Sequence, residues 1–514
     1  RTIQKFRIPS LTLMENAGRE VFSLLKKKFF TLSKKKILIV AGKGNNAGDG
    51  FVVARLLQKA GAKVSVWMLA SPEELSGDAR INYKKLVGQR VLSTGIPSSC
   101  ILDGWSRGEA PSPPVSQKPF IIIDAIFGTG LSRKVRSPYK EAIRWINQQK
   151  SFVVSIDIPS GLSADTGKVL GEAVQADLTV TLGLPKRGLF LAPGTEVAGE
   201  VRVVDIGIPV GAALRGRPHK KGTHIGVPLQ EHLITESDIA PLFKPRKKES
   251  HKGTYGHVLV IAGSERKLGA ALMTAKAVLR SGSGLVTLAL PDKAFKKIPK
   301  DFLEVMYEPL PSTVSGGFHF KGWKRLQVIA QDKDVIVVGP GMGTEKETKK
   351  FVQKILLLKK PLVIDADGLN FLSVSQLKGR KAPTILTPHP GEMSRLIKKT
   401  IKQIQGKRWE IVQKFSKNNH CFLLLKGYRT VLGTPEGKIF INTTGNPGMA
   451  TAGMGDALTG MIASFIGQRF STEEAICAAV FIHGRAGDQL AKKKGERGLT
   501  AGDLIEEIPY AIHF

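Results

Sequence analysis

The chain has 514 residues, of which 42% are hydrophobic, and its formal net charge is +34. A chain of this length exceeds one ordinary hydrophobic core, so we expect two or three domains. No apolar run approaches the roughly 18 residues that cross a bilayer, which argues against a membrane protein. The three cysteines show no CxxC spacing, which argues against a disulfide framework or a cysteine zinc site and favours a cytoplasmic protein.

The positive charge raises the question of nucleic-acid binding, because phosphate contacts depend on Lys and Arg. Both halves of the chain are basic, however, and neither end carries a polybasic tail. The lysine runs at 26–28, 34–36 and 492–494 lie within helix-like or strand-leading segments. We interpret them as solvated faces and expect no nucleic acid and no membrane as partner.

Short β-branched runs alternate with amphipathic runs before residue 210. The strand candidates are those that begin at Lys36, Phe120, Phe152, Asp177 and Val201. This alternation predicts a parallel, doubly wound α/β sheet. Near Gly211 the pattern gives way to a polar stretch without a period, which indicates a linker. The predicted organisation is a first domain over 1–213, a linker over 214–228 and a second domain over 229–514.

A second series of strand candidates follows this linker. Its members begin at Gly256, Gly284, Asp334, Pro361, Thr384 and Cys421. Each run ends in Gly, Asp or Pro. Because ligands of open α/β sheets gather at the carboxyl ends of the strands, we expect these endings to line one crevice.

A glycine-rich segment, KGNNAGDG at Lys43–Gly50, follows the first strand candidate. We expect a helix to begin after it, near Phe51. Backbone N–H groups in such a segment can face anionic oxygens. Glycine clusters also form plain turns, so the segment alone is weak evidence.

Carboxylates end two later strands of the first series, at Asp124 and Asp157. With the side chains of Asn46 and Ser160, they offer oxygen ligands that suit a hard, weakly held cation. Each aspartate taken alone is equally well explained as a helix cap or a turn residue. Their common position at strand ends favours a site.

From LMENAG at Leu13 through DAIFGTGLSR and DIPSGLSADTG to VVDIGIP at Val203, the chain resembles the YjeF N-terminal domain, the epimerase of hydrated NADH and NADPH. The resemblance implies that potassium is bound by Asn46, Asp124 and Ser160. It implies that the hydrated dinucleotide is held by Asn45, Asn46, Ala47, Gly48, Asp49, Gly128, Thr129, Gly130, Leu131, Ser132, Arg133, Lys134 and Asp157. Ala47 stands where glycine is commoner, so a positive φ there would strain the segment.

The chemistry of that substrate suggests roles for two residues. A hydrated nicotinamide ring is a hemiaminal, whose nitrogen lone pair can expel the hydroxyl once an acid protonates it. Addition of water to the other face inverts the centre. We assign the acid/base role to Asp157, with Lys186 as an electrostatic aid.

A second glycine-rich segment, GNPGMATAGMGDALTG at Gly445–Gly460, places Gly453, Gly455 and Asp456 at the expected start of a helix. A helix N-terminus can stabilise a transferring phosphoryl group, and an aspartate there can accept a hydroxyl proton. No GxxxxGK[ST] motif occurs, so a P-loop enzyme is not expected. Upstream, LKGYRT supplies Lys426 and a glycine turn suited to a nucleotide phosphate.

These residues resemble the ribokinase-like superfamily and, more closely, the hydrated NAD(P)H dehydratase fused behind the epimerase domain in bifunctional prokaryotic proteins. The resemblance runs from Leu229 to Pro509 and includes GPGMG, IDADGLN, TPHPGEMSRL and HGRAGD. It implies that the hydrate contacts Ala270, Gly343 and His389. It implies that the nucleotide is held by Lys426, Gly427, Tyr428, Arg429, Thr430 and the segment from Gly445 to Gly455, with Asp456 at the reacting hydroxyl.

Three interpretations remain open. The first is a bifunctional repair enzyme that epimerises hydrated NADH and NADPH and dehydrates the S form at the expense of ADP, with potassium and magnesium and as a homo-oligomer. The second is a ribokinase-like small-molecule kinase with an accessory domain, and the third is an RNA-binding scaffold. The resemblance favours the first, and ADP over ATP follows from it alone. His389 has a plainer interpretation as a satisfied polar residue in a turn, and Met454 replaces a more usual hydroxyl residue.

Overall fold

The computed structural model of the chain describes residues 8–33, 35–88, 119–208, 231–300 and 302–514. Contacts within the chain divide it into two compact units, residues 1–210 and 211–514. The predicted linker over 214–228 and Cys100 lie outside the described residues. Across the described ranges, none of the helices combines the length and the apolar character that crossing a bilayer would require.

The first unit is built on a six-stranded parallel sheet with the order β2-β1-β3-β4-β5-β6. Its strands are β1 (Lys36–Ala41), β2 (Lys63–Met68), β3 (Ile121–Ala125), β4 (Phe152–Ile156), β5 (Leu178–Leu182) and β6 (Glu200–Val204). Its helices are α1 (Ser10–Lys28), α2 (Asn45–Lys59), α3 (Gly77–Gly88), α4 (Tyr139–Gln148) and α5 (Gly194–Val197).

Helices cover both faces of this sheet, since alternate strand residues pack into two separate cores. Ile37 and Ile39 of β1 pack with apolar residues of α1 and α2. Leu38 and Val40 pack instead with Ile143 and its neighbours on α4. Strands buried on both faces explain why the sequence shows continuous apolar runs rather than alternation.

The second unit contains a ten-stranded sheet with the order β10-β9-β8-β11-β12-β13-β14-β15-β16-β7. Its strands are β7 (Glu231–Ile234), β8 (His257–Ile261), β9 (Leu285–Pro291), β10 (Met306–Leu310), β11 (Val335–Val338), β12 (Leu362–Ile364), β13 (Thr384–Leu386), β14 (Phe422–Leu425), β15 (Val431–Gly433) and β16 (Ile439–Asn442). All neighbours pair in parallel except those of β15, which is antiparallel to β14 and to β16. The sequence did not predict this antiparallel strand.

The helices of the second unit are α6 (Glu236–Ile239), α7 (Leu268–Arg280), α8 (Asp292–Phe295), α9 (Trp323–Ile329), α10 (Lys346–Ile355), α11 (Asp367–Asn370), α12 (Pro390–Ile397), α13 (Ile401–Gly406), α14 (Arg408–Asn419), α15 (Met454–Gly467), α16 (Thr472–Lys494) and α17 (Ala501–Ala511). Helices α7, α15, α16 and α17 share one large core with Val258 and Val260 of β8. The prediction of two doubly wound α/β domains is confirmed.

The strand order places a crevice in each unit. The chain reverses its direction of winding between β1 and β3 in the first sheet and between β8 and β11 in the second. Loops that leave two such strands at their carboxyl ends turn to opposite faces and leave a gap between them, where ligands bind. The glycine-rich segment after β1 and the GPGMG loop after β11 therefore lie at the expected positions for binding sites.

The expected helix start near Phe51 is wrong. Helix α2 begins at Asn45, with Gly44 as its N-cap, so most of the glycine-rich segment is helical. Its glycines allow α2 to pack closely against its neighbours. A Cβ on Gly48, for example, would lie only 2.5 Å from the Met14 sulfur. Ala47 is helical and is absent from the residues with positive φ, so it is not strained in the way that the sequence suggested.

Candidate active sites

Asp124 anchors the first crevice from the end of β3. Its carboxylate is fully buried and accepts hydrogen bonds from the Ser155 hydroxyl at 2.8 Å and from the amide and hydroxyl of Ser160 at 2.9 and 2.5 Å. Burial raises the pKa of Asp124, although the hydrogen bonds from Ser160 oppose this. The network fixes the loop after β4 against β3.

Asn46, in the first turn of α2, faces the same network. Its amide nitrogen donates to the Phe127 carbonyl at 3.0 Å, while its side-chain oxygen is buried and has no hydrogen-bond partner. A buried amide oxygen without a donor is costly, and a cation would satisfy it. The Phe127 carbonyl and the Ser160 hydroxyl, which lie 3.3 Å apart, add oxygen atoms beside it. This donor set fits a hard monovalent cation.

Asp157 follows β4 and has a positive φ of 68°. Among the described residues of the first unit, it is the only non-glycine residue with a positive φ. Its Oδ1 accepts the Leu182 amide at 3.1 Å and forms an ion pair with Lys186. Lys186 also donates to the Leu182 carbonyl at 2.6 Å. A residue held in a sparsely populated backbone region, with two contacts fixing its side chain, is a common mark of a functional position.

Asp49 lies on α2 close to this ion pair. Burial, together with the negative charge of Asp157, raises the pKa of Asp49 well above its ordinary value. A buried carboxyl group with a raised pKa thus lies close to the ion pair between Asp157 and Lys186. Perturbed carboxyl groups of this kind cluster at functional sites.

The structure brings together only part of the first predicted substrate set. Gly128 lies beside Asn46 and Asp157, since a Cβ there would lie 3.7 Å from an atom of each. The rest of the loop, from Thr129 to Lys134, is exposed or half-buried at the rim, and Asn45 is also exposed. Ala47 and Gly48 are buried in α2 and face helix packing rather than open space.

The second crevice is lined by the loops that follow β8, β11, β12, β13 and β14. The Ser264 hydroxyl after β8 donates to the Gly341 carbonyl after β11 at 2.8 Å. A Cβ on Gly341, whose φ is 65°, would lie 3.1 Å from the Ala270 Cβ. The amide of Gly343 donates to Asp367 at 2.9 Å. The predicted hydrate contacts Ala270 and Gly343 therefore lie at the same switch point.

His389, the third predicted hydrate contact, is the N-cap of α12. Its Nδ1 accepts the amides of Gly391 and Glu392 at 3.0 and 3.4 Å, and its own amide donates to Glu392 at 2.8 Å. These bonds match the plainer interpretation of a satisfied turn residue. The imidazole is nevertheless half exposed, with Nε2 3.4 Å from a Glu392 oxygen.

Asp456 lies in the first turn of α15, as the sequence predicted. Gly453 is the N-cap, with φ 87°, and a Cβ there would lie 2.6 Å from the Met273 sulfur. Burial and the negative charge of Asp365 raise the pKa of Asp456 to about 7, against the opposing effect of Lys426. A carboxyl group that titrates near neutrality suits a general base.

Lys426 follows β14 and lies beneath this turn, with 18% of its side chain exposed. Its ammonium forms an ion pair with Asp365 at 2.7 Å, and a Cβ on Gly455 would lie 3.1 Å from its Nζ. Burial alone would lower the pKa of Lys426, but the hydrogen bond to Asp365 and the attraction to Asp365, Glu392 and Asp456 together outweigh it, so the pKa is raised. The lysine therefore places a positive charge at the glycine turn.

The remainder of the predicted nucleotide set forms a neighbouring patch. The Arg429 guanidinium, at a residue with φ 54°, donates to the Thr443 carbonyl at 2.6 Å and so joins the Lys426–Thr430 loop to the strand exit before Gly445. The Thr430 hydroxyl donates to the Gly427 carbonyl at 2.9 Å. Tyr428 is 57% exposed, which leaves its ring accessible to a planar base.

The long helix α16 holds the second glycine-rich segment at its start and at Met454. Asp488 accepts the Gly445 amide and the Asn446 side-chain nitrogen, each at 2.9 Å. His483 bonds to the Met454 carbonyl at 2.9 Å. Gly484 allows the close approach, because a Cβ there would lie 2.2 Å from the Thr444 hydroxyl.

Within the described ranges, no group of three or more His, Cys, Asp and Glu side chains is arranged to hold a metal ion. The first crevice instead offers the amide oxygen of Asn46, the Ser160 hydroxyl and the Phe127 carbonyl.

Each of the two units matches a family of known proteins. Residues 10–188 match the family model of the YjeF-related protein N-terminus, and residues 258–510 match that of NAD(P)H-hydrate dehydratase. The bifunctional NAD(P)H-hydrate repair enzyme Nnr of Moorella thermoacetica is 39% identical over 515 residues, which cover 99% of this chain and 93% of that protein. The chain belongs to the family of bifunctional NAD(P)H-hydrate repair enzymes. The membership that the sequence motifs predicted is thus confirmed.

A second relative matches nearly the whole chain, and a solved structure matches about half of it. The Nnr enzyme of Thermofilum pendens is 39% identical over 512 residues, with 99% of this chain and 93% of that protein covered. A crystal structure of the ADP/ATP-dependent NAD(P)H-hydrate dehydratase of Bacillus subtilis, co-crystallised with ATP and Mg²⁺, is 30% identical. It covers 55% of this chain and 97% of its own, with a TM-score of 0.48.

Sequence reasoning gave no role to four residues that shape the second crevice: Asp365, Thr459, His483 and Asp488. A signal for Asp365 was available, because it ends a strand as Asp124 and Asp157 do in the first unit. His483 and Asp488 lie in the HGRAGD motif, where polar residues interrupt an otherwise apolar helix. Thr459 lies in the apolar α15 and gave no such signal.

Proposed function

We propose that the second unit dehydrates the S form of hydrated NADH and NADPH at the expense of ADP. The observation that carries this proposal is that Asp456, whose pKa is about 7, and the Lys426 ammonium lie at the same N-terminal turn of α15. A base and a phosphate-binding charge at one helix N-terminus are the parts that phosphoryl transfer to a hydroxyl requires.

The proposed chemistry follows from the leaving group. Asp456 takes the proton of the hydrate hydroxyl, whose oxygen then attacks the terminal phosphorus of ADP, and AMP leaves. The hydrate now carries a phosphate ester, which is a better leaving group than water. The ring nitrogen lone pair expels inorganic phosphate, and loss of a proton from the adjacent carbon restores the ring double bond. Lys426 and the α15 amides stabilise the charge on the transferring phosphoryl group.

The first unit, in this proposal, interconverts the R and S hydrates so that the second unit can use both. Asp157 exchanges a proton with the hydroxyl as water leaves and returns to the other ring face. Lys186 keeps Asp157 oriented through their ion pair. Asp49 lies close to them, and burial together with the charge of Asp157 raises its pKa.

Potassium and magnesium enter this proposal as bound ions. Asn46, Ser160 and the Phe127 carbonyl would hold potassium near Asp124, where the unpartnered Asn46 oxygen is the supporting observation. Potassium would supply a fixed positive charge for the substrate's phosphates. Magnesium would be held chiefly by nucleotide phosphates, with Glu392 as the nearest carboxylate of the α12 turn, and would neutralise phosphate charge. A homo-oligomer and a cytoplasmic location stay predictions.

The test is recovery of reduced nicotinamide absorbance from a mixture of both hydrate epimers in potassium buffer, with ADP, with ATP or without nucleotide. We expect complete recovery with ADP. Recovery that stops when one epimer is consumed would contradict the epimerase half, and recovery with ATP alone would contradict the choice of donor. Absence of recovery under every condition would overturn the proposed function and favour the kinase or scaffold interpretation.

A further inference from the structure

Asp365 lies at the centre of the second crevice, although it is not placed to react. It follows β12 and is 1% exposed. Its Oδ1 accepts the Lys426 ammonium at 2.7 Å, and its Oδ2 accepts the Thr459 hydroxyl at 2.7 Å. Because each oxygen accepts a hydrogen bond, the carboxylate is held in one orientation.

The ion pair lies directly against the turn that carries Asp456. A Cβ on Gly455 would lie 3.1 Å from the Lys426 Nζ and 3.8 Å from Oδ2 of Asp365. Thr459, which holds Asp365, is one turn further along α15. The same helix therefore contributes the reacting carboxyl group and the hydroxyl that orients the lysine's partner.

Several charged groups face Asp456 from different elements. Asp365 and Asp367 follow β12, Lys426 follows β14 and Glu392 begins α12. From α16, His483 contacts the Met454 carbonyl, and burial lowers its pKa to about 4, so that it is neutral at pH 7. After burial, the strongest influence on Asp456 is the negative charge of Asp365, and Lys426 acts in the opposite direction.

We propose that Asp365 is a positioning residue of the dehydratase site, which holds the Lys426 ammonium under the glycine turn and takes up its charge. Asp456 is then not the lysine's ion-pair partner and stays free to exchange a proton. Without Asp365, the Lys426 ammonium would interact more strongly with Asp456 and lower its pKa. Asp456 would then stay ionised to lower pH and be a weaker base. The inference deepens the proposed function of the second unit and depends on it.

The first experiment is the pH profile of kcat for dehydration in the wild type and in Asp365→Asn. The wild-type rate should rise with pH through a midpoint near 7, where Asp456 loses its proton. In Asp365→Asn the midpoint should fall by about one pH unit or more, which leaves about tenfold more ionised Asp456 well below the midpoint. The rate on the plateau should fall as well, since Asp456 is a weaker base.

The matched control is Asp367→Asn, which removes a carboxylate two residues away. Asp367 pairs with Lys267 at 3.1 Å rather than with Lys426. Its influence on Asp456 ranks below those of Asp365 and Lys426. We therefore expect a smaller downward shift of the midpoint. Equal shifts in the two variants would mean that loss of any nearby negative charge suffices, which would overturn the positioning role.

A second measurement does not need turnover. Binding of ADP brings negative phosphates close to Asp456 and should raise its pKa further. The wild type should therefore take up a proton on binding ADP at and above pH 7. Calorimetry in buffers of different ionisation enthalpy measures this uptake. In Asp365→Asn this uptake should move to lower pH. In the double variant Asp365→Asn with Lys426→Met, the free ammonium is gone, so the uptake should return toward the wild-type pH. The double variant also removes an unpaired buried charge, so it is the better folded of the two.

The outcomes separate the two proposals. An active wild type with an unshifted midpoint in Asp365→Asn overturns the role of Asp365 and leaves the dehydratase intact. A wild type that binds ADP without proton uptake near pH 7 also overturns it, even if Asp365→Asn fails to fold. A wild type that neither dehydrates the hydrate nor binds ADP or ATP overturns the proposed function, and this inference with it.

Discussion

His483 donates a hydrogen bond from Nε2 to the backbone carbonyl of Met454, 2.9 Å away at the first residue of α15. The direction follows from the acceptor, because a carbonyl cannot donate, and it fixes the tautomer of the buried imidazole. Five residues later on α16, Asp488 holds the Gly445 amide. The same helix thus holds the glycine-rich segment at two points, Gly445 and Met454, so the position of Asp456 depends on a helix that carries no reacting group itself.

The first prediction concerns the stability of this contact in acid. Burial lowers the pKa of His483 from its ordinary 6.5 to about 4, so the unfolded chain binds a proton more readily than the folded one. The stability contributed by neutral His483 is complete above about pH 6.5 and is lost as pH falls toward 4. Between pH 7 and 5 we expect a loss of about 2 kcal/mol.

His483→Gln should remove most of this loss, because an amide nitrogen still donates to the Met454 carbonyl but does not titrate. The measurement is the urea midpoint of the second unit at pH 7 and pH 5, with His513→Gln at the exposed C-terminal end as control. An equally steep loss in His483→Gln and in the wild type would show that another group causes it.

The second prediction is that Asp157→Asn stops epimerisation and leaves the fold intact. Asparagine tolerates the φ of 68° and keeps an oxygen for the Leu182 amide, but it cannot exchange the proton or pair with Lys186. The measurement is the interconversion of separated R and S hydrates, followed by chromatography. Asp165→Asn, in the exposed part of the neighbouring loop, is the matched control. Unchanged interconversion in Asp157→Asn would remove Asp157 from the mechanism.

The third prediction tests the cation at Asn46 without turnover. Potassium at about ten times its dissociation constant should raise the free energy of unfolding of the first unit by about 1.4 kcal/mol, because the ion binds only the folded state. We expect sodium to have a smaller effect. Asn46→Ala should lose the difference between the two salts, since it removes the buried, unpartnered oxygen. Asn45→Ala, at the exposed first residue of α2, should keep it. Thermal unfolding in matched chloride salts is the measurement, and a potassium effect that survives in Asn46→Ala would contradict this site.

The sequence predicted what depends on local pattern and on topology. The strand ends at Asp124 and Asp157 could be placed at one edge of the first sheet, and Gly339 at the corresponding edge of the second, because parallel strands share an edge. The helix start at Asp456 followed from its glycines. The Lys426–Asp365 pair could not be predicted, since the two residues lie on strands 61 positions apart whose loops meet only in the folded sheet.

Two other features were hidden for a different reason. The glycines of the first segment read as a phosphate loop, yet Gly48 and Gly50 serve the close packing of α2 on Met14 and Ala125. Glycine allows both uses, and only the neighbours in space distinguish them. The antiparallel β15 was missed because a three-residue strand with its partner next in the chain has no period to detect.

The last prediction separates backbone strain from steric room in the second glycine turn. Gly453→Ala puts a Cβ at a residue with φ 87°, and that Cβ would lie 2.6 Å from the Met273 sulfur and 2.8 Å from the Ala501 Cβ. The cost is about 1–2 kcal/mol for the left-handed backbone and about 1–3 kcal/mol for overpacking. Since the turn must shift to relieve the contact, Asp456 and the α15 amides should move and dehydration should fall by about tenfold or more.

Gly498→Ala is the matched control, because Gly498 has nearly the same φ, 84°, with nothing within 4 Å of its added Cβ. It should lose only the backbone part of the stability and keep the rate of dehydration. Epimerisation should be unchanged in both variants, because the first unit has its own core. Thermal unfolding and both rates are measured for each variant. Equal rates of dehydration in the two variants would contradict this prediction. They would mean that a shift of the glycine turn does not displace Asp456, which the contacts with α16 would then hold in place.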